Sequence, residues 1–158
     1  MKRITNMFAA LAVVALPMAP LAAQERPVSL TSDVKAVKTV TEADGSEKTE
    51  LVEPSKTVPG DRLVFGTDYA NSGSDAVENF VVTNPIHAAV RLAPDADPAL
   101  IVSVDGAKSF GVLANLSVTD QAGATRAATQ ADVTHVRWTL SSIAPGETGR
   151  LEYPVIIR

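Results

Sequence analysis

Residues 151–158 read Leu-Glu-Tyr-Pro-Val-Ile-Ile-Arg, and this stretch decides the fold class. Large apolar side chains recur at every second position, at 151, 153, 155 and 157. A period of two with the apolar residues on one side is typical of a half-buried β-strand. Pro154 has no N–H to donate to a strand ladder, so we expect a free edge or a bulge at that residue.

Residues 133–140 repeat the pattern. Val136 and Trp138 fall on one face of this run, while His135 and Arg137 fall on the other. We interpret Trp138, which is the one Trp of the chain, as a core residue. Between the two runs, Ala144-Pro145-Gly146-Glu147 combines the residues that set the backbone angles of a tight turn.

Short runs of this kind fill the chain from Val28 onward, and no amphipathic helix of useful length interrupts them. Asp44-Gly45 separates the first two runs and predicts a β-hairpin. Eight to ten strands at this spacing are typical of an antiparallel β-sandwich. Residues 121–132 are weakly patterned, and we interpret them as a loop with room for one helical turn. The predicted strands occupy residues 34–40, 49–52, 63–69, 80–85, 86–92, 100–104, 110–118, 133–140 and 151–157.

Four motifs occur in a fixed order along residues 58–158. They are Pro59-Gly60-Asp61, the Tyr-Ala-Asn-Ser-Gly segment 69–73, the Val-Val-Thr-Asn-Pro segment 81–85 and the Ile-Ala-Pro-Gly-Glu-Thr segment 143–148. This order resembles the DUF11-type conserved repeat domains of bacterial surface and secreted proteins, here in a single copy. Asn84 departs from the commoner Asp, and the N-terminal hairpin lies outside the shared region. The resemblance implies an Ig-like β-sandwich in an extracellular or envelope setting and transfers no catalytic residue.

The N-terminal residues form the pattern of a secretory signal. Lys2 and Arg3 precede an apolar segment over 7–16, and the small residues Ala22 and Ala23 follow. The apolar segment is shorter than the roughly 20 residues that span a bilayer, which disfavours the alternative of a membrane anchor. We therefore predict a cleaved signal peptide over 1–23, no stable membrane span after cleavage, and a periplasmic or extracellular location. The expected organisation is the signal peptide, an N-terminal strand and β-hairpin over 24–57, and the sandwich over 58–158, with 24–158 forming one compact domain.

Composition limits the partners and the chemistry. The net charge of −4 becomes −6 when the two cations Lys2 and Arg3 leave with the leader. An acidic chain argues against nucleic acid and against anionic membrane surfaces, since both attract clusters of Lys and Arg. The chain has no Cys, so it has no disulfide, thiolate metal site or Cys nucleophile. After the leader is removed, about 135 residues remain, enough for one domain held by its core alone.

One segment resembles a known hairpin device. Residues 103–110, Ser-Val-Asp-Gly-Ala-Lys-Ser-Phe, are similar to an Asp-box, with Ala107 at the position of the usual Gly. The resemblance implies that the Asp105 carboxylate caps backbone N–H groups in a turn. An Asp-box stabilises a hairpin and marks no catalytic site.

Candidate ligands for chemistry are few. Asp95 and Asp97 in the 94–98 loop, with Asp105 beyond it, are weak candidates for Ca²⁺, which takes six to eight oxygen ligands. The spacing of a dedicated calcium loop is absent, so we interpret them as solvated acids and predict no resident metal or cofactor. His87 and His135 have no partner pattern and are interpreted as surface residues. No Gly-x-Ser-x-Gly motif marks a nucleophile.

These observations favour a non-enzymatic exported β-sandwich that serves as a structural or protein-interaction module of the bacterial cell envelope or periplasm. Its partner would be an envelope or extracellular protein, contacted through the charged hairpin around Asp44-Gly45 and the loop 94–98. The alternative is a secreted domain that binds a ligand or Ca²⁺. A small hydrolase is the third possibility and has only generic residues behind it.

Overall fold

The computed structural model describes residues 27–158, so the predicted leader 1–23 and residues 24–26 of the N-terminal segment lie outside the described residues. Within that range there are eleven β-strands, one turn of 3-10 helix at Leu113–Asn115 and no α-helix. The strands are β1 Val28–Thr41, β2 Glu47–Val52, β3 Arg62–Asn71, β4 Val77–Pro85, β5 Val90–Leu92, β6 Ile101–Ser103, β7 Gly111–Val112, β8 Ser117–Thr119, β9 Thr125–Ala127, β10 His135–Ile143 and β11 Thr148–Ile157.

The strands form three antiparallel sheets. A five-stranded sheet has the order β2-β1-β3-β11-β5, a four-stranded sheet has the order β4-β10-β6-β7, and β8 pairs with β9. The two larger sheets contact each other across a shared core, where Asn84 of β4 donates a hydrogen bond to Thr67 of β3 at 2.8 Å. The predicted all-β, sandwich-like fold is therefore confirmed.

Tyr153 lies at the centre of the core. Its ring stacks on Phe65 with centroids 5.5 Å apart and packs at a tilt on Trp138 of the opposite sheet at 5.9 Å. Trp138 is half-buried and packs against the buried cluster, which confirms its interpretation as a core residue. Burial raises the pKa of Tyr153 to about 12, because the phenolate would lose its hydration. The buried cluster around this ring consists of Leu63, Val90, Leu92, Leu100, Val102, Val133, Val136 and Val155.

Pro154 marks a change in the pairing of β11. On one side, β11 pairs with β3 along Thr148 to Ile156. On the other side, β5 pairs only with residues 155–157, and the Pro154 carbonyl accepts the last bond from the Ala93 N–H at 3.0 Å. The predicted free edge at this proline is confirmed, since residues 148–153 face no partner strand on that side within 27–158.

Two predicted strands are shorter than expected. In the run 86–92 only Val90–Leu92 is extended, because His87 closes a turn: its carbonyl accepts from the Val90 N–H at 3.0 Å and its ring from the Ala89 N–H at 3.1 Å. The run 110–118 is divided by the 3-10 turn, in which the Leu116 N–H donates to the Leu113 carbonyl at 3.0 Å. Both segments are rich in apolar residues, which a turn or a strand can equally place against the core. Periodicity alone therefore did not distinguish a turn from a strand in these segments.

The predicted loop over 121–132 contains a strand. Asp120 organises the connection by accepting hydrogen bonds from the N–H groups of Ala122 and Ala124, both at 2.9 Å. This turn brings β9 against β8, where the hydroxyl groups of Thr119 and Thr125 lie 3.1 Å apart. β9 reads Thr-Arg-Ala with all three residues exposed, so it carries no alternating apolar signal, which is why the pattern predicted a loop.

Candidate functional site

The N-terminal hairpin projects from the sandwich. β1 pairs with β3 from Val28 to Ala36, and from Val37 to Thr41 its only strand partner within 27–158 is β2. At the tip, the Glu42 N–H donates to the Ser46 carbonyl at 2.8 Å, and Gly45 takes a positive φ of 86°. The hairpin predicted from Asp44-Gly45 is confirmed. Residues 37–52, which extend beyond β3, are referred to below as the arm.

The arm exposes both of its faces. All its residues are exposed except Val37, Val40 and Val52, which are half-buried. Four acids and two lysines give it a net charge of −2. Leu51 is 49% exposed and is a large apolar side chain among these charged residues. A two-stranded ribbon alone is marginally stable in water, so contact with a further surface would stabilise the arm.

An ion-pair cluster holds the sheet below the arm. Arg150 of β11 donates to Asp33 of β1 at 2.7 Å and to both carboxylate oxygens of Asp68 at 3.0 and 3.1 Å. Lys35 pairs with Glu53, just after β2. The Arg150 guanidinium lies over Gly66, where any side chain would collide with it. The cluster therefore ties the three strands β1, β3 and β11 across their outer face.

The three carboxylates considered for calcium have separate partners. Asp95 accepts from Arg62 at 2.6 Å, which lowers the pKa of its carboxyl, and Asp97 accepts from the Ala99 N–H at 2.8 Å. Asp105 sits in its own hairpin. Among residues 27–158, no three His, Cys, Asp or Glu side chains are grouped so that they could hold a metal ion.

Asp105 caps the turn as the Asp-box resemblance implied. Its carboxylate accepts from the Ser109 hydroxyl at 2.6 Å, from the N–H groups of Ser109 and Lys108 at 3.0 Å, and from the Ser103 hydroxyl at 2.7 Å. These donors, the Ser109 hydroxyl above all, hold the pKa of Asp105 well below its usual range. Ala107 takes φ 68°, the left-handed conformation for which the usual Gly is suited.

The histidines lie apart from any nucleophile pattern. His87 is exposed and its ring accepts from the Ala89 N–H. His135 is half-buried, with its Nδ1 3.1 Å from the Thr134 hydroxyl. Arg137, on the same strand, lies 3.4 Å from the centroid of Phe110, a cation–π contact. Both histidines therefore have local structural contacts.

A cavity of about 290 Å³ opens at the end of the sandwich that carries the 94–98 loop. Its walls are mainly apolar, and Asp97, Thr129 and Gln130 supply polar groups. The cavity was not predicted, because its walls come from separate parts of the chain that no local pattern connects. The apolar wall is formed by Leu92, Ala96, Leu100, Val102, Leu113 and Ala128.

No family model, curated protein or solved structure matches this chain. No helix in the part of the chain that the structure describes is long and apolar enough to cross a bilayer.

Proposed function

We propose that this protein is a non-enzymatic, exported β-sandwich that acts as a structural or protein-interaction module of the bacterial cell envelope or periplasm. The signal-peptide pattern over 1–23 supports export, and the DUF11-type resemblance over 58–158 supports an envelope role. The observation that carries the proposal is the arm, a ribbon that leaves the sandwich and exposes both faces.

The arm has the chemistry of a protein contact. Its two strands pair with each other, and its side chains on both faces are available for recognition. Leu51 offers an apolar anchor, and the acids around it favour a partner surface that carries Lys or Arg. The sandwich anchors the base of the arm, because the Arg150 cluster ties β1 to β3 and β11 immediately below it.

The test compares two exposed apolar residues. Leu51 on the arm and Val58 outside it are 49% and 59% exposed, so Leu51→Lys and Val58→Lys are matched substitutions. The full chain and both variants would be cross-linked in the envelope of the producing bacterium, and the joined proteins identified by mass spectrometry. We expect a specific adduct that Leu51→Lys loses and Val58→Lys retains. The proposal fails if no adduct forms, or if both variants lose it equally.

The cavity favours a second function, binding of a small apolar ligand. Its volume of about 290 Å³ lies just below the range of about 300–1,000 Å³ for pockets that hold drug-sized ligands, so the ligand would be a small one. Ala114 also lines the cavity. A fluorescent apolar probe such as 1-aminoanthracene should bind the full chain and fail to bind an Ala114→Trp variant, whose larger side chain occupies part of the cavity. Equal binding to both proteins would remove this candidate. The calcium alternative would be tested by thermal melts with millimolar Ca²⁺, where an unchanged midpoint rules it out.

A further inference from the structure

The first half of β1 has an open edge. β3 pairs with β1 from Val28 to Ala36, but β2 begins only opposite Ala36. The Pro27 carbonyl accepts from Ser72 beyond β3, and the Glu42 N–H donates to Ser46 beyond β2. Since antiparallel hydrogen bonding alternates, odd residues of β1 bond toward β3 and even residues toward the β2 side. Val28, Leu30, Ser32 and Val34 therefore point their N–H and C=O groups at a side without a partner strand within 27–158.

The free edges of β4, β10, β11 and β2 carry features that oppose strand pairing. In β4, Asn79 takes φ 53°, and the ladder between Phe80↔Leu140 and Glu78↔Ser142 lacks the pair of Asn79 with Ser141, so regular pairing is interrupted in both β4 and β10. In β11, residues 148–153 have no partner strand within 27–158 on the β5 side, and this edge carries the charged residues Arg150 and Glu152. β2 presents charged residues at 47, 48 and 50. By contrast, residues 28–34 form an unbroken ladder with β3, and their single charge is Asp33, which pairs with Arg150.

We propose that the open edge of β1, residues 28–34, pairs with the same edge of a second copy of this chain. The two strands run antiparallel about a two-fold axis at Thr31. Val28 then faces Val34 of the second copy, and Leu30 faces its Ser32. Each of these pairs exchanges two backbone hydrogen bonds, so all four outward-facing residues of each copy are satisfied. The two five-stranded sheets become one continuous sheet.

The geometry of the edge selects this occupant and this register. A pairing centred on Ser32 would place Val28 opposite Ala36 of the second copy, whose outward side β2 already occupies. A pairing centred on Leu30 would leave Val34 facing residue 26, outside β1. Only a pairing centred on Thr31 places every outward-facing residue of 28–34 opposite an outward-facing residue of the same segment in the second copy. It also sets Asp33 opposite the neutral Ser29 and brings the two Leu30 side chains, each 46% exposed, into diagonal contact.

The absence of Cys from the chain allows a direct test. In the proposed dimer, Thr31 faces Thr31 in a non-hydrogen-bonded pair, with Cα atoms about 4.5 Å apart, within the range that a disulfide spans. The full chain carrying Thr31→Cys would be oxidised mildly beside a Ser141→Cys control, which places a thiol at an exposed position of β10. We expect Thr31→Cys to form a covalent dimer at least about tenfold faster, since a preformed pair reacts at high effective concentration.

Sedimentation of the Cys-free protein supplies the second measurement. We expect a concentration-dependent dimer that Leu30→Lys converts to monomer, because two lysines would then lie at the diagonal contact. Circular dichroism would confirm that Leu30→Lys retains its strands. The proposal is overturned if Thr31→Cys reacts no faster than Ser141→Cys, if the wild-type protein stays monomeric at all concentrations, or if Thr31→Cys cross-links to a different envelope protein. None of these outcomes depends on the arm, so the proposed function is tested separately.

Discussion

Asn71 joins the two turns at one end of the sandwich. Its side chain is 1% exposed, and its amide donates to the carbonyls of Asp75 and Ile143, both at 2.9 Å. Its side-chain oxygen accepts from the Gly73 N–H at 3.0 Å. This residue lies in the Tyr-Ala-Asn-Ser-Gly segment 69–73, one of the four motifs that occur in a fixed order along the chain. The structure adds that its amide reaches across to the end of β10.

Asn71→Ala is expected to lower the free energy of unfolding by about 3 kcal/mol, because the buried Ile143 carbonyl and the partly buried Asp75 carbonyl and Gly73 N–H would lose their partner. Urea denaturation followed by Trp138 fluorescence would measure the change. Ser72→Ala, which removes an exposed hydroxyl bonded to Pro27, should cost less than about 0.5 kcal/mol. Equal effects of the two substitutions would contradict the role given to Asn71.

Ala107→Gly is expected to stabilise the protein. Ala107 holds φ 68°, and this left-handed conformation costs an L-residue about 1–2 kcal/mol. Glycine would remove this cost, but its greater conformational freedom in the unfolded chain offsets part of the gain. The expected net gain is about 0.5–1 kcal/mol. Thermal denaturation of the variant beside Ala122→Gly, in a turn where no such strain is present, would check it. A lower melting temperature for Ala107→Gly would refute the prediction.

At the scale of the elements, β3 and β11 each have a glycine that makes room for a long side chain of the other strand. Gly149 lies opposite Tyr69 in the ladder, and the Tyr69 ring occupies the space where a side chain at 149 would stand. On the other face of the same strands, Gly66 leaves room for the Arg150 guanidinium. Both glycines therefore let a long side chain from the neighbouring strand lie flat on the sheet.

Gly149→Val should destabilise the protein by about 1–3 kcal/mol although valine favours strands, because the added side chain displaces the Tyr69 ring. Thr148→Val, at the adjacent exposed position, is the control and should change stability little. Chemical denaturation of both variants would give their free energies of unfolding. The comparison separates the intrinsic strand preference of valine from the effect of displacing the Tyr69 ring. The interpretation fails if Gly149→Val is as stable as the wild type.

The arm is the element that contributes least to stability. The residues packed against the buried cluster from β1 are Val34 and Ala36, which precede the arm. Replacing Thr39–Thr49 with Asn-Gly, which suits a tight hairpin turn, should therefore leave the melting temperature nearly unchanged. Calorimetry of the shortened chain would check this. A large loss of stability would show that the arm supports the core.

At the scale of the whole molecule, charge limits stability at both ends of the pH range. Arg126 and the Thr129 hydroxyl and N–H hold the pKa of Asp132 below its usual range, and the Ser109 and Ser103 hydroxyls do the same for Asp105. Since these pKa values are lower in the folded state, their contribution is present above about pH 4 and is lost as the pH falls further. The Tyr153 pKa of about 12 has the opposite effect, because the unfolded phenol ionises first, near pH 10.

We therefore expect the melting temperature to fall below about pH 4 and again above about pH 10. Scanning calorimetry across this range would measure both limits. Tyr153→Phe should reduce the alkaline loss, and Asp105→Asn should reduce the acid loss even if each variant is less stable at neutral pH. A Tyr153→Phe variant that keeps the full alkaline loss would assign that loss to other groups.

The sequence by itself determined the all-β class, the position of most strands and the chemistry of the turns. These properties follow from period-two alternation and from Gly, Pro, Asn and Asp, whose effects act within a few residues. Only the tertiary structure decided the arm, the open edge of β1 and the apolar cavity. Strand pairing joins residues far apart in the chain, so nothing local shows that β3 covers β1 from Val28 while β2 begins only at Ala36.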